Sequence, residues 1–248
     1  MEEKLLKTPK FKTPTMVAAW PGMGYLARAT VDYLRRQLRA ELFTEFLDYN
    51  SGVTYKDGLI NLSIVRHRFY STPKNDIIFC IGDAQPSSPE EAYRLASKVV
   101  EVAKKYNVKR IYTIAAYPNE YYESPSVFGV ATSDDALGLL RKHEITIAEA
   151  EGTISGLNGL LIGVAKERGI EGLCLLGEIK YINVPQLRTS KALLGALTTL
   201  LGVEIDMTML EKRIERMEDR IKRKMERYQE KMSRAERQLK KEPPRYIT

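Results

Sequence analysis

The strongest constraint on the fold is a repeated pattern of short, largely apolar runs, each broken by a turn and followed by a helical stretch. The runs are Thr15–Trp20, Ile77–Ile81 within 76–82, Val108–Ala116 and Leu173–Leu176 within 172–177. None shows the polar alternation of a strand with one wet face, so each suits a strand covered on both sides. Between them lie amphipathic segments at 25–40, 89–106 and 160–168, and a more evenly apolar one reaching Gly202. Strands that alternate with helices in this way predict an α/β fold. The expectation is a three-layer α/β/α sandwich with a mostly parallel sheet.

Local signals place the elements. Leu26, Ala29, Val31, Tyr33, Leu34 and Leu38 supply one side of the first helix. The helix at 89–106 opens with Glu90 and Glu91 and closes with Lys104 and Lys105, complementing its dipole. Ser133, Asp134 and Asp135 start another helix, which runs to His143. Leu42–Tyr49 and Val53–Ser71 read as strands, and Lys56-Asp57-Gly58 is a hairpin turn, so a hairpin edge is added to the sheet. Lys4–Thr13 is polar and basic, with Pro9 inside it and Pro14 after it, which reads as a loose arm. Tyr117–Pro125 is a loop with three tyrosines, suited to an interface or to packing over its own domain. The resulting division is an arm at 1–14, an α/β domain at 15–206, an amphipathic helix at 207–241 and a tail at 242–248.

The net charge of +7 resolves differently once it is divided along the chain. Residues 1–206 carry 25 Lys and Arg against 24 Asp and Glu, whereas 207–241 carry 13 against 7. The α/β domain is therefore nearly neutral, which argues against a nucleic-acid face on it. The basic helix has interspersed acids and no run of aromatic platforms, so nucleic acid or acidic lipid is the lesser reading there too. No apolar run of membrane-spanning length and no signal-peptide pattern occurs, and the opening Met1-Glu2-Glu3-Lys4 suits a cytoplasmic protein. Cys80 and Cys174 each sit in an apolar run, as buried reduced thiols do. His67 and His143 have no Cys or carboxylate cluster at ligand spacing, so no metal is expected.

The stretch Gly152-Thr-Ile-Ser-Gly-Leu-Asn-Gly159 before a helix invites a phosphate-binding reading. Its details point elsewhere. Leu160 and Leu161 follow Gly159 where a P-loop requires Lys and Ser or Thr, and neither the dinucleotide fingerprint nor Gly-x-Ser-x-Gly is matched. Close helix packing, with Ser155 or Asn158 capping the helix, is the favoured reading. Three loops, Trp20–Gly24, Gly82–Pro86 and Glu151–Gly156, are expected at the carboxyl edge of the sheet, where open α/β sheets hold ligands. Asp83, Gln85, Glu151, Thr153 and Ser155 are the candidates for such a crevice. No base–nucleophile pair accompanies them, so capping and interface polarity are favoured over catalysis and no cofactor is expected.

Trp20-Pro-Gly-Met-Gly24, Gly82-Asp-Ala-Gln-Pro86, Gly152–Gly159 and Tyr181-Ile-Asn-Val-Pro185 with the apolar helix after it form an ordered set of glycine and proline turns. As a set, over about residues 15–206, they resemble the proteasome assembly chaperone family in its archaeal form. The resemblance implies a non-enzymatic, homo-oligomeric chaperone that docks on proteasome α-subunits or a related chaperone subunit. The alternatives are an ATP-dependent carboxylate–amine ligase or phosphate-ester enzyme using the edge crevice, and a coiled-coil scaffold for another complex.

The C-terminal segment adds a seam at Leu210, Ile214, Met217, Ile221, Met225, Tyr228, Met232, Ala235 and Leu239, with steps of four and three and one stutter. So narrow a stripe favours coiling with another subunit or a partner over lying on its own domain. After Pro243 and Pro244 the chain closes on Arg245-Tyr246-Ile247-Thr248. Proteasome activators and some of these chaperones end in a hydrophobic residue, tyrosine and any residue, and that tail enters a pocket between α-subunits. Tyr246, Ile247 and Thr248 are similar to it, with the tyrosine third from the end. They are the partner-binding residues that the resemblance implies.

Overall fold

The computed structural model describes residues 1–239, apart from 75, 120–122 and 150, and gives no side-chain placement for 50, 51, 221, 224–226, 228 or 230–239. The chain divides into two units, Met1–Asp206 and Met207–Thr248. Among its described residues the first contains nine strands and five helices. In chain order these are β1 (Glu2–Leu5), β2 (Thr15–Ala19), a 3-10 turn at Met23–Tyr25, α1 (Leu26–Gln37), β3 (Glu41–Lys56), β4 (Leu59–Ser71) and β5 (Ile77–Gly82). There follow α2 (Pro89–Lys105), β6 (Arg110–Pro118), β7 (Val127–Ala131), α3 (Asp134–Lys142), β8 (Thr146–Ile147), α4 (Leu157–Glu167), β9 (Glu171–Ile179) and α5 (Leu187–Leu201). The second unit carries α6 (Thr208–Leu239).

All nine strands form one sheet in the order β1-β3-β4-β5-β2-β6-β9-β7-β8. The α/β class expected from the sequence holds, but the sheet is mixed rather than mostly parallel. β5, β2, β6 and β9 are mutually parallel, and β7 runs parallel to β8. β1/β3, β3/β4, β4/β5 and β7/β9 are antiparallel. Connection length is the reason. Residues 57–58 and 72–76 are too few to cross over the sheet, so β3, β4 and β5 must reverse direction, whereas β2 and β5 return through helices. The 1–14 arm differs too. Residues 2–5 pair with β3, and Phe11 packs edge-on against Phe43 and Tyr106, so local polarity is overridden by a free sheet edge and an aromatic cluster.

β2, β5 and β9 are buried on both faces nearly throughout, and β6 over Ile111–Ile114, as their apolar runs require. α1 packs with α5, and α2 with α4. β9 shows that α4 and α5 lie on opposite faces. A Cβ on Gly172 would meet Ile162 of α4, and one on Gly177 would meet Thr189 and Leu193 of α5. The core between the sheet and α2/α4 is built on Met16, Trp20, Phe43, Phe46, Phe69, Leu95, Val99 and Leu161. Ser88 and Ser133 cap α2 and α3 by accepting hydrogen bonds from the Glu91 and Ala136 backbone N–H groups. In the hairpin turn Asp57 and Gly58 both have positive φ, 52° and 80°, the conformation of a two-residue turn that matches strand twist.

Candidate interaction site at the carboxyl edge of the sheet

The parallel strands end together, so the segments that leave β2 and β5 share one edge with the loop that enters α4. Gln85, half-buried, ties them. Its Nε2 donates to the Pro21 carbonyl, and its Oε1 accepts from the Leu157 backbone N–H at 2.7 Å. That second bond satisfies an orphan donor in the first turn of α4, so the cap of this helix comes from 72 residues away. Neither Ser155 nor Asn158 caps it, contrary to the local expectation. The N-cap position is Gly156, at φ 79°, where a Cβ would lie 2.8 Å from Gln85 Oε1.

Asn158 is committed elsewhere. Buried at the start of α4, it accepts from the Trp20 backbone N–H through Oδ1 (3.0 Å) and donates to the Trp20 carbonyl through Nδ2 (3.3 Å). The amide thus serves as a one-residue strand for a backbone that has just left the sheet. Gly159 lets the helix approach, since a Cβ there would stand 2.2 Å from the Ile154 carbonyl oxygen. On the other side of Trp20, its indole Nε1 donates to His67 Nδ1 at 3.1 Å, and Gly82 leaves room for that contact. Burial pushes the His67 imidazole down to about 4, so it is neutral. His67, distant from these loops in the sequence, is therefore brought against two of them by the β4/β5 pairing His67↔Gly82.

Asp83 is also taken up by protein. Its Oδ1 accepts from Arg28 Nη2 at 3.0 Å and Arg68 Nη1 at 2.9 Å, and its carbonyl accepts from Arg28 Nη1 at 3.0 Å. Arg68 also reaches the buried Glu45, which accepts from Arg66 at 3.0 Å. Glu151, Thr153 and Ser155 are exposed on the loop before α4. Among the described residues, no group of three or more His, Cys, Asp or Glu side chains is placed to hold a metal ion. A cavity of about 200 Å³ lies elsewhere, lined by Met1, Glu3, Phe46 and four residues of α2, and is smaller than typical ligand pockets.

What the edge does offer is apolar surface. The Met23–Tyr25 turn is tied to the 181–186 loop by Gly24 N–H to Ile182 O (2.6 Å) and Gln186 N–H to Gly24 O (3.3 Å). Gln186 Nε2 closes that loop on the Tyr181 and Val184 carbonyls, each at 3.0 Å. Gly24 is buried at φ 63°, and a Cβ on it would stand 2.8 Å from Gln186 Cγ. These bonds hold Met23, Tyr25, Tyr181, Ile182 and Val184 outward on adjoining segments. Sequence reasoning chose the polar loop residues and passed over these five. Large apolar side chains in loops dense with Gly and Pro were the available signal. Tyr117 is exposed as well, while Tyr121, Tyr122 and the tail Tyr246, Ile247 and Thr248 lie outside the described residues.

The Pyrococcus furiosus protein PbaB, an archaeal proteasome activator, superposes with a TM-score of 0.78 at 26% identity, covering 91% of this chain and 98% of its own. P. furiosus PbaA, an archaeal homolog of proteasome-assembly chaperone, does so at 0.76 and 23%, covering 96% and 98%. In sequence, an uncharacterized protein of Methanocaldococcus jannaschii is 30% identical over 203 residues, 80% of this chain and 78% of that protein. The PAC2 family model matches residues 16–225, from the second strand of the sheet through all five helices around it, and the chain belongs to the PAC2 family.

Proposed function

We propose that this chain is a non-enzymatic proteasome assembly chaperone or proteasome-binding adaptor that acts as a homo-oligomer and docks on proteasome α-subunits. One observation carries the reading. At the edge where an α/β enzyme gathers its reactive groups, the polar side chains Asp83, Gln85 and Asn158 are spent on protein partners, while Met23, Tyr25, Tyr181, Ile182 and Val184 face outward. Such a surface suits protein recognition better than chemistry. The family, and the likeness to an archaeal proteasome activator, support the same class of partner.

In this reading 15–206 is the chaperone body, 207–241 a helix that coils with a second subunit or a partner, and Tyr246–Thr248 the tail that enters an α-subunit pocket. The tail contact uses the tyrosine ring and the terminal carboxylate. A charge-assisted hydrogen bond contributes about 1.5–3 kcal/mol, so its loss weakens each site roughly tenfold or more, and several tails per oligomer multiply the effect. The test is capture of purified proteasome α-subunits by full-length protein, by a variant lacking Tyr246–Thr248 and by one with a glycine after Thr248. Full-length protein should retain the α-subunits and both tail variants should lose them. Absence of capture by full-length protein refutes the proteasome reading, and equal capture by all three places recognition away from the tail.

A further inference from the structure

The β3–β4 ribbon continues well beyond the rest of the sheet. β1 stops pairing with β3 at Glu2↔Leu47, and β5 stops pairing with β4 at His67↔Gly82. From Tyr49 outward, among the described residues, the two strands pair only with each other. Val53 stands opposite Leu62 and Tyr55 opposite Ile60, so two-residue alternation puts all four on one face. That face is bare: Val53 is 54% exposed, Leu62 64%, Ile60 72% and Tyr55 81%. It continues down β4 through Ile64, opposite the exposed Tyr49, to Arg66 and Arg68. Arg68 meets Arg28 of α1 at Asp83, so this is the α1 side of the sheet. α1 packs on β5, β2 and β6. Among the described residues of this unit, the outer ribbon is therefore a sheet face that α1–α5 leave uncovered, apolar at its far end and charged where it joins the body.

An isolated two-stranded ribbon is marginal in water, and a contiguous apolar patch of a few hundred Å² on a monomer marks an interaction surface. Tyr49 and Ile64 extend it towards the body, so the apolar surface spans both strands of the ribbon. Charge selects the arrangement. The base carries Lys4, Arg28, Arg66 and Arg68 against Glu2, Glu45 and Asp83, a surplus of one positive charge. At the tip Lys56, paired with Leu59, belongs to the opposite face, which leaves the Asp57 carboxylate in the turn.

We propose that this face docks on the same face of a second copy of the chain, the two ribbons stacking antiparallel about a two-fold axis. Each Asp57 then lies over the positively charged base of the other ribbon, and Val53, Tyr55, Ile60 and Leu62 of both copies close into one apolar layer. A parallel stack would set tip on tip and base on base, like charge against like. Two-fold symmetry makes the patch its own partner, so one surface closes the contact. The inference rests on the homo-oligomer reading above and names its surface.

The test compares the mass in solution of full-length protein with that of the double variant Tyr55→Lys/Ile60→Lys, by sedimentation at micromolar concentration. The unmodified protein should be an oligomer and the variant should run at half its mass, with an unchanged far-UV circular dichroism spectrum. A second measurement does not depend on the variant's folding. Asp57→Cys and Tyr49→Cys proteins, mixed in equal amounts and treated with a short bismaleimide, should link to each other, while either alone should not; the two native thiols are buried. A monomeric unmodified protein overturns the homo-oligomer reading itself. An oligomer whose mass is the same in the double variant, with no cross-link in the mixture, overturns the assignment of this face and leaves that reading standing. A double variant of unchanged mass that no longer captures α-subunits assigns the face to the proteasome instead, and equally overturns the second copy as its occupant.

Discussion

Replacing Asn158 by alanine tests whether the carboxyl edge is held together by its own polar groups. The amide accepts from the Trp20 backbone N–H at 3.0 Å and donates to the Trp20 carbonyl at 3.3 Å, and both residues are buried. The variant leaves one donor and one acceptor in the core without those partners. Each buried group so stranded costs about 1–3 kcal/mol, which sets the expected loss at about 2–6 kcal/mol. For a domain of this size each kcal/mol moves the midpoint by about 2–4 °C, so a fall of roughly 4–24 °C is expected. Trp20 is the single tryptophan, so its fluorescence reports both the unfolding transition and the polarity of this site. Thermal melts followed at that wavelength, at one fixed protein concentration, should show the lower midpoint and a red-shifted native emission. Thr153→Ala, on the exposed loop nearby, should change stability by no more than about 0.5 kcal/mol. A midpoint for Asn158→Ala within about 1 °C of the unmodified protein would refute the bridging role.

Two further outcomes follow from buried titratable groups. His67 is held near 4 by burial against an ordinary value of 6.5, so the unfolded chain binds a proton that the folded chain refuses. Stability should therefore be full above pH 6.5 and decline towards pH 4, by about 3 kcal/mol in all; urea midpoints across that window measure it, and His67→Gln should flatten the slope. Burial likewise pushes the Cys80 thiol well up and the Cys174 thiol to about 11, so neither should react with a thiol reagent at pH 8 until guanidinium is added. Rapid labelling of the native protein would contradict the packing of both strands.

Much of the α/β framework was legible residue by residue. Thr15–Ala19, Ile77–Gly82 and Glu171–Ile179 are strands because a short run without polar alternation has nowhere to go except a sheet covered on both faces. α2 and α3 begin where Ser88 and Ser133 offer a cap, each followed by acids, and end on basic residues. The β3–β4 turn sits at Asp57-Gly58 because that pair tolerates positive φ. These signals act over a few residues, and so they survive in the bare sequence.

Pairing and partnership were decided elsewhere. No local pattern records that residues 2–5 pair with Thr44–Leu47, that the outer half of the sheet runs antiparallel, or that the ribbon outruns its neighbours. The same holds at the edge. Gln85 caps a helix 72 residues away, Asn158 completes the backbone of a residue 138 positions earlier, and His67 receives the Trp20 indole across 47. Composition and periodicity determined which segments are strands and helices and which faces must be dry, because those are properties of neighbours along the chain. Which polar group satisfies which buried donor, and so whether Asp83, Gln85 and Asn158 remain free for a ligand, was settled only when packing brought distant segments within about 3 Å, the range over which a hydrogen bond acts.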